Sequence, residues 1–138
     1  MRRTEGEGSS QRTPRLSGIL LDSVILIDLL NGIEEAATYL RDREGTLSIS
    51  AITRAEVLAG ADAAQAQKIR GFLDRFELHP IDAAVADEAA RLRRIHRWKL
   101  PDALQAACAL LHRRRLATRN TKDFDPIKFA WVEVPYAV

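Results

Sequence analysis

The stretch Gly18-Ile19-Leu20-Leu21-Asp22-Ser23-Val24-Ile25-Leu26-Ile27-Asp28-Leu29-Leu30-Asn31-Gly32 constrains the fold most. The apolar run after Gly18 is too short for a helix and reads as a buried strand. Asp22 and Ser23 are helix-starting residues, because their side chains accept hydrogen bonds from free N–H groups. The apolar residues beyond them recur at helical spacing, and Asn31-Gly32 is a helix stop. Asp22 therefore stands where a central strand passes into a helix. In open α/β sheets, ligands bind at such strand ends. The plainer reading of Asp22 is an N-cap and nothing more.

The rest of the chain repeats this alternation. Residues 33–43 form an amphipathic helical pattern, Leu47-Ser48-Ile49-Ser50 alternates as a strand does, and residues 63–76 carry the stripe Ile69, Phe72, Leu73 and Phe76. A short strand at residues 77–81 precedes a helix capped by Asp82. Residues 100–111 are the most apolar helix, with Pro101 suited to its first turn. Residues 116–118 and 131–134 supply the last strands. This order predicts a three-layer α/β/α sandwich with a mostly parallel central sheet over residues 18–138. Residues 1–17 are polar and aperiodic and read as a disordered tail.

The chain has 138 residues, 46% of them apolar, which suits one domain with a true core. Its single cysteine, Cys108, excludes an internal disulfide or a cysteine zinc site and fits a reducing, cytoplasmic setting. It reads as a small buried filler. No apolar run is long enough to span a membrane. Lys and Arg outnumber Asp and Glu by only 21 to 19, so distribution matters more than net charge. Basic residues cluster at Arg91, Arg93, Arg94, His96, Arg97 and Lys99, and again at Arg113, Arg114 and Arg115. Each run is a solvated helix face unless an anion site lies nearby. His79 reads as a surface or strand-end residue, since no second histidine lies at metal spacing.

Four acids fall at strand ends or helix starts: Asp22, Glu56, Asp102 and Asp123. Each has a structural explanation of its own. Thr53 and Glu56 match a capping box, and Asp102 suits the positive end of a helix dipole. If the helix starts instead at Ser50 or Ala51, Glu56 lies inside it with its carboxylate near the interior. The parallel order brings all four acids to one edge of the sheet. Asp28 is turned away from that edge and is expected to be a solvated helix residue.

Four motifs then carry a resemblance. Leu21-Asp22-Ser23 with Leu26-Ile27, the run Ser50 to Gly60, Leu100-Pro101-Asp102-Ala103-Leu104-Gln105-Ala106-Ala107, and Leu116-Ala117-Thr118-Arg119-Asn120-Thr121-Lys122-Asp123-Phe124 resemble PIN-domain ribonucleases of the VapC toxin group. The resemblance runs from Gly18 to the last residue. It implies a metal-dependent endoribonuclease, a homodimer, restrained by a VapB-type antitoxin. It carries Asp22, Glu56 and Asp102 onto the acidic site and Asp123 onto a fourth, variable position, for which Asn120 is the alternative. Ser23, Thr118 and Asn120 are expected as supporting polar groups. Val24 departs from the family pattern, which often has Asn or Ser there.

The residue chemistry agrees. Crowded carboxylates raise one another's pKa unless a cation is present. Oxygen-only ligands select Mg²⁺ or Mn²⁺ over zinc, and such an ion activates water for attack on a phosphodiester. Arg91, Arg94, Arg97, Lys99, Arg113 and Arg114 are candidates for holding an RNA backbone. Apolar stripes on the helices at residues 33–43 and 63–76 suggest the dimer surface. A dehalogenase-type phosphatase needs an acid at Val24 and is excluded. A receiver domain needs paired acids that are absent. A housekeeping RNA-processing nuclease and a non-catalytic RNA-binding or scaffold module remain as alternatives.

Overall fold

The sheet is entirely parallel, and its strand order fixes where a ligand can sit. In the computed structural model, which describes residues 16–43 and 45–138, the strands are β1 (Ile19–Leu21), β2 (Leu47–Ser50), β3 (Glu77–His79), β4 (Arg115–Ala117) and β5 (Val132–Glu133). They lie in the order β3-β2-β1-β4-β5. The chain runs outward from β1 to β3, then crosses to β4 on the other side. The order reverses between β1 and β4, and crevices for ligands open at such switch points, beyond the carboxyl ends of the strands. The helices are α1 (Ser23–Leu30), α2 (Glu34–Asp42), α3 (Ala51–Ala59), α4 (Ala63–Leu73), α5 (Ala83–His96) and α6 (Leu100–Leu111). The expected tail falls, for residues 1–15, outside the described residues.

Side chains alternate across a strand, and β1 shows why both sheet faces must be covered. Ile19 and Leu21 pack with Ile25 and Leu26 of α1, Tyr39 of α2, Val57 of α3 and Leu73 of α4. Leu20 points the other way, into Val85, Ala89 and Leu92 of α5 and the small residues of α6. The three-layer sandwich follows directly. Ala103, Ala106, Ala107, Cys108 and Ala109 are fully buried, so α6 lies close against both sheet and α5. Burial pushes the Cys108 thiol pKa up to about 11, as an inert filler requires.

Local signals set the element boundaries. Asp22, Ser50, Asp62 and Asp82 each cap a helix with a side-chain oxygen. Ser50 accepts from the Thr53 amide at 3.1 Å. The helix therefore begins at Ala51, the Thr53–Glu56 capping box does not form, and Glu56 falls in the second turn of α3. Gly18 has φ +80°, and a Cβ there would collide with the Arg114 side chain. Arg97 ends α5 in the left-handed conformation, φ 63°. A non-glycine residue there costs roughly 1 kcal/mol, and it turns the chain sharply into α6.

The two expected surface stripes are covered only in part. On α2, Ala36 and Tyr39 are buried, while Ile33, Ala37 and Leu40 are half-buried. On α4, Ile69 and Phe72, with Phe76 just beyond, are only half-covered. His79 ends β3, the strand-end alternative of the sequence reading, and is buried there. Its ring stacks on His112 with centroids 4.0 Å apart, and desolvation lowers its pKa.

Candidate active site

Asp22 follows β1, and its carboxylate is held from three directions. Oδ1 accepts from the Ser23 amide at 2.8 Å and from Gln105 Nε2 at 3.0 Å. Oδ2 accepts from the Thr118 hydroxyl at 2.6 Å. Registry explains the last contact. Leu21 pairs with Ala117 across the parallel β1–β4 ladder, so the next residue on each strand meets its counterpart.

Gln105 lies at the centre of a buried polar network. Its Oε1 accepts from the Ser50 hydroxyl at 2.5 Å, and its Nε2 donates to Thr53 Oγ1 at 2.6 Å as well as to Asp22. Thr53 Oγ1 donates onward to the Leu21 carbonyl at 3.0 Å. These contacts fix every proton. Ser50 Oγ already accepts from the Thr53 amide, so its hydrogen goes to Oε1. Thr53 spends its hydrogen on Leu21, so it accepts from Nε2. Asp22 only accepts, so it takes the second Nε2 hydrogen. The amide of Gln105 is consistent in one orientation alone. A fully satisfied buried network of this kind rigidifies what it touches.

The remaining acids are linked through Asp102. Asp102 is half-buried in the first turn of α6. Desolvation first, then the negative charges of Asp22, Asp123 and Glu56, push its carboxyl pKa up to about 6, while Lys99 works in the opposite sense. The other three expected acids thus all act on Asp102. Asn120 donates to Asp123 Oδ2 at 3.2 Å, and its backbone amide donates to Thr118 Oγ1 at 3.0 Å. The fully buried Phe124 anchors the same turn. Glu56 is exposed, contrary to the expectation of an interior carboxylate.

Among the described residues, no three His, Cys, Asp or Glu side chains form a ready cage for an ion. The donor set nonetheless fits a hard divalent cation. It is all oxygen, one member is rigidly presented, and another is repelled by three negative neighbours. Mg²⁺ keeps several waters and takes few protein ligands, so a partial set of carboxylates suits it better than a closed cage.

The basic candidates divide. Arg94 and Arg97, with Arg93, line a concave surface of about 450 Å³ at the end of α5, and Lys99 acts on Asp102. Arg91 is engaged by Glu88 at 2.6 and 2.9 Å. Arg113 and Arg114 precede β4. Arg114 contacts the Ser17 carbonyl and Glu77, at the amino ends of β1 and β3. They lie at the edge of the sheet opposite Asp22, because a parallel sheet separates strand starts from strand ends.

Asp28 corrects the sequence reading most clearly. It is 7% exposed, and Arg119 binds both its oxygens at 2.7 and 2.9 Å while the Tyr136 hydroxyl adds a third bond at 2.9 Å. The Arg119 hydrogen bonds hold its pKa below the usual carboxylate range, against desolvation. Helical geometry does turn Asp28 away from the strand end, but towards the residue after Thr118 rather than to water. Sequence reasoning also missed Gln105. The signal was present: it is the one amide inside the alanine-rich helix α6.

Comparison with known proteins places this arrangement. The PIN-domain family model matches residues 19–130. Ribonuclease VapC10 of Mycobacterium tuberculosis is 34% identical over 87% of this chain and 94% of its own length. A toxin–antitoxin complex from Klebsiella pneumoniae contains a chain of similar structure, with TM-score 0.81 and 41% identity, covering 88% of this chain and 100% of that one. FitAcB from Neisseria gonorrhoeae matches with TM-score 0.72 and 25% identity over 87% of this chain and 99% of that one. A strand-end aspartate at the switch point of a 3-2-1-4-5 parallel sheet, acting with Glu56 and Asp123 on Asp102, is thus joined to likeness along nearly the whole fold: the chain belongs to the PIN-domain family, in its VapC ribonuclease group.

Proposed function

We propose that the protein is a divalent-metal-dependent endoribonuclease and the toxin of a type II toxin–antitoxin pair, working in the cytoplasm. The observation that carries this is the Asp22 carboxylate, held by Ser23, Gln105 and Thr118 beside an Asp102 that three acids repel. The VapC ribonuclease relative and the toxin–antitoxin complex support the same reading. Asp22 and Asp102, with Glu56 and Asp123, would hold Mg²⁺ or Mn²⁺. That ion supplies charge stabilisation at phosphoryl oxygens and activates water at neutral pH. The protein's own residues do the rest. Gln105 and Thr118 keep Asp22 in one rotamer. Asp102 holds its proton more firmly than an ordinary aspartate and releases it as positive charge arrives. Arg94, Arg97 and Lys99 bind the phosphates of the strand.

The antitoxin site follows from an apolar groove of about 280 Å³ lined by Ile27 and Leu30 of α1, Val57 of α3 and Ile69 of α4. Ile27 and Leu30 are exposed. A VapB-type amphipathic helix fits there, with a Lys or Arg directed to the acidic cluster. The half-covered side of α4 serves a twofold homodimer, and light scattering of the toxin alone measures it. The function itself is tested on total RNA with Mg²⁺, Mn²⁺ or EDTA, followed by sequencing of new 5′ ends. Cleavage that needs the ion and disappears in Asp102→Asn supports the reading. Cleavage persisting in EDTA and in that variant overturns it.

A further inference from the structure

Beyond the acidic cluster, between the α5–α6 junction and the loop at residues 122–129, a cavity of about 420 Å³ opens to solvent. Its size is within the range of small-ligand sites, roughly 300–1,000 Å³. Asp123 lines it, and Asp123 also acts on Asp102. Asp123 is therefore shared between the cavity wall and the proposed reaction site.

Its other walls are aromatic and basic. The His96 ring lies nearly parallel on Trp98, with centroids 4.2 Å apart and 18° between planes. Phe129 meets His96 edge-on at 5.3 Å and Trp98 at 5.5 Å. Trp98 is only 5% exposed and packs against Phe124 and Trp131, so the rings above it rest on a rigid floor. His96 and Phe129 themselves are half-buried. Lys122 and Lys128 are exposed on the rim. Among the described residues neither is in an ion pair. A core cluster accounts for Trp98 and Phe124. It does not account for a half-open stacked imidazole, an edge-on phenyl ring with the Lys128 ammonium over it at 5.4 Å, and a second ammonium, that of Lys122, around one cavity.

We propose that this cavity is a nucleobase subsite: one base of the single-stranded RNA beside the scissile phosphate stacks on His96 and meets Phe129 edge to face, while Lys122 and Lys128 bind the phosphates flanking it. This rests on the endoribonuclease reading and deepens it. Single-stranded nucleic acid is held in this way, by aromatic faces for bases and cations for the backbone. Two lining carboxylates already have backbone or side-chain donors. Asp125 accepts from the Ile127 amide and Asp123 from Asn120. The subsite therefore registers the presence of a base more than its identity.

The experiment uses the full chain in EDTA at low ionic strength, so that RNA is bound and not cut. Both tryptophans of the protein, Trp98 and Trp131, belong to this cluster, so intrinsic fluorescence reports on it. The probes are a short oligoadenylate and an abasic ribose-phosphate chain of equal length. The proposal expects the oligoadenylate to quench tryptophan emission and to bind about tenfold more tightly than the abasic chain. In His96→Ala that difference should vanish with abasic binding unchanged, and in His96→Phe it should return. Lys128→Gln should weaken both probes alike. Equal binding of the two probes to the wild type overturns the subsite, and needs no variant to fold. So does a His96→Ala protein that still discriminates. If the wild type binds neither probe and cleaves no RNA, the endoribonuclease reading fails with it. If it cleaves RNA but ignores the base, only the subsite fails.

Discussion

Replacing Gln105 by leucine removes the centre of the network behind Asp22 while nearly keeping its volume. Three hydrogen bonds disappear, to Ser50, Thr53 and Asp22. The losses are unequal. The Ser50 hydroxyl keeps a donor to accept from but has no acceptor for its own proton. Asp22 keeps two of its three donors, and Thr53 still donates to the Leu21 carbonyl. A buried group left unpartnered costs about 1–3 kcal/mol. One orphaned hydroxyl and two weakened acceptors, offset in part by added apolar burial, amount to about 2–4 kcal/mol. Urea denaturation should show this as a lower midpoint at unchanged slope. Because Asp22 loses its lateral restraint, RNA cleavage should fall by more than about tenfold even where the variant is fully folded. Gln105→Glu sharpens the test, since it sets a second carboxyl about 3.0 Å from Asp22 Oδ1. Its folded-state pKa must rise, so its stability should be greatest at acid pH and decline as pH increases through that raised value. A Gln105→Leu protein within about 0.5 kcal/mol of wild type, with undiminished cleavage, would refute the reasoning.

Asp28→Asn should destabilise the protein by about 1–3 kcal/mol, since it leaves the Arg119 guanidinium facing a neutral amide; chemical denaturation measures this, and Arg119→Ala should cost no more when the two are combined. Asp102 contributes the opposite pH trend from Asp28. Its pKa is raised from 3.8 to about 6 on folding, so its favourable contribution is complete below about pH 4 and is lost as pH rises through about 6, by roughly 1–2 kcal/mol after solvent screening. Melting curves without metal across that window should fall, and Mg²⁺ should flatten them. Leu20→Ala, at a fully buried site on the central strand, should cost about 2–5 kcal/mol. Ile127→Ala, at 95% exposure, should change stability by less than about 0.5 kcal/mol.

The fold was legible because its signals are local. The run before Asp22, the caps at Asp82 and Asn31, and Pro101 in a first turn act within a few residues, and the alternation of strands and helices leaves few topologies. The burial of Ser48 and Ser50 was not legible. Leu47-Ser48-Ile49-Ser50 reads as apolar-in, polar-out, yet β2 is covered on both faces, and its serines turn to the Ile19 carbonyl and to Gln105. Asp28 escaped for a similar reason, since its partners Arg119 and Tyr136 lie 91 and 108 residues away. The four acids could be listed from sequence; Gln105 stands out there as a lone glutamine among alanines, but its partners Asp22, Ser50 and Thr53 are set only once α6 is packed. Arg113 and Arg114 precede β4 and so stand at its amino end, away from Asp22, a placement that sequence order and the parallel sheet together give.

The most direct measurement is the melting temperature of wild-type and Asp22→Asn protein with and without Mg²⁺ or Mn²⁺, beside cleavage of total RNA by the same samples. Asparagine caps helices about as well as aspartate, so the variant should remain folded. A ligand stabilises only the state that binds it. The account expects the wild type to gain stability on adding the ion and to cut RNA, and Asp22→Asn to do neither. A folded Asp22→Asn protein that cleaves RNA at the wild-type rate, or that gains as much stability from the ion, would contradict it.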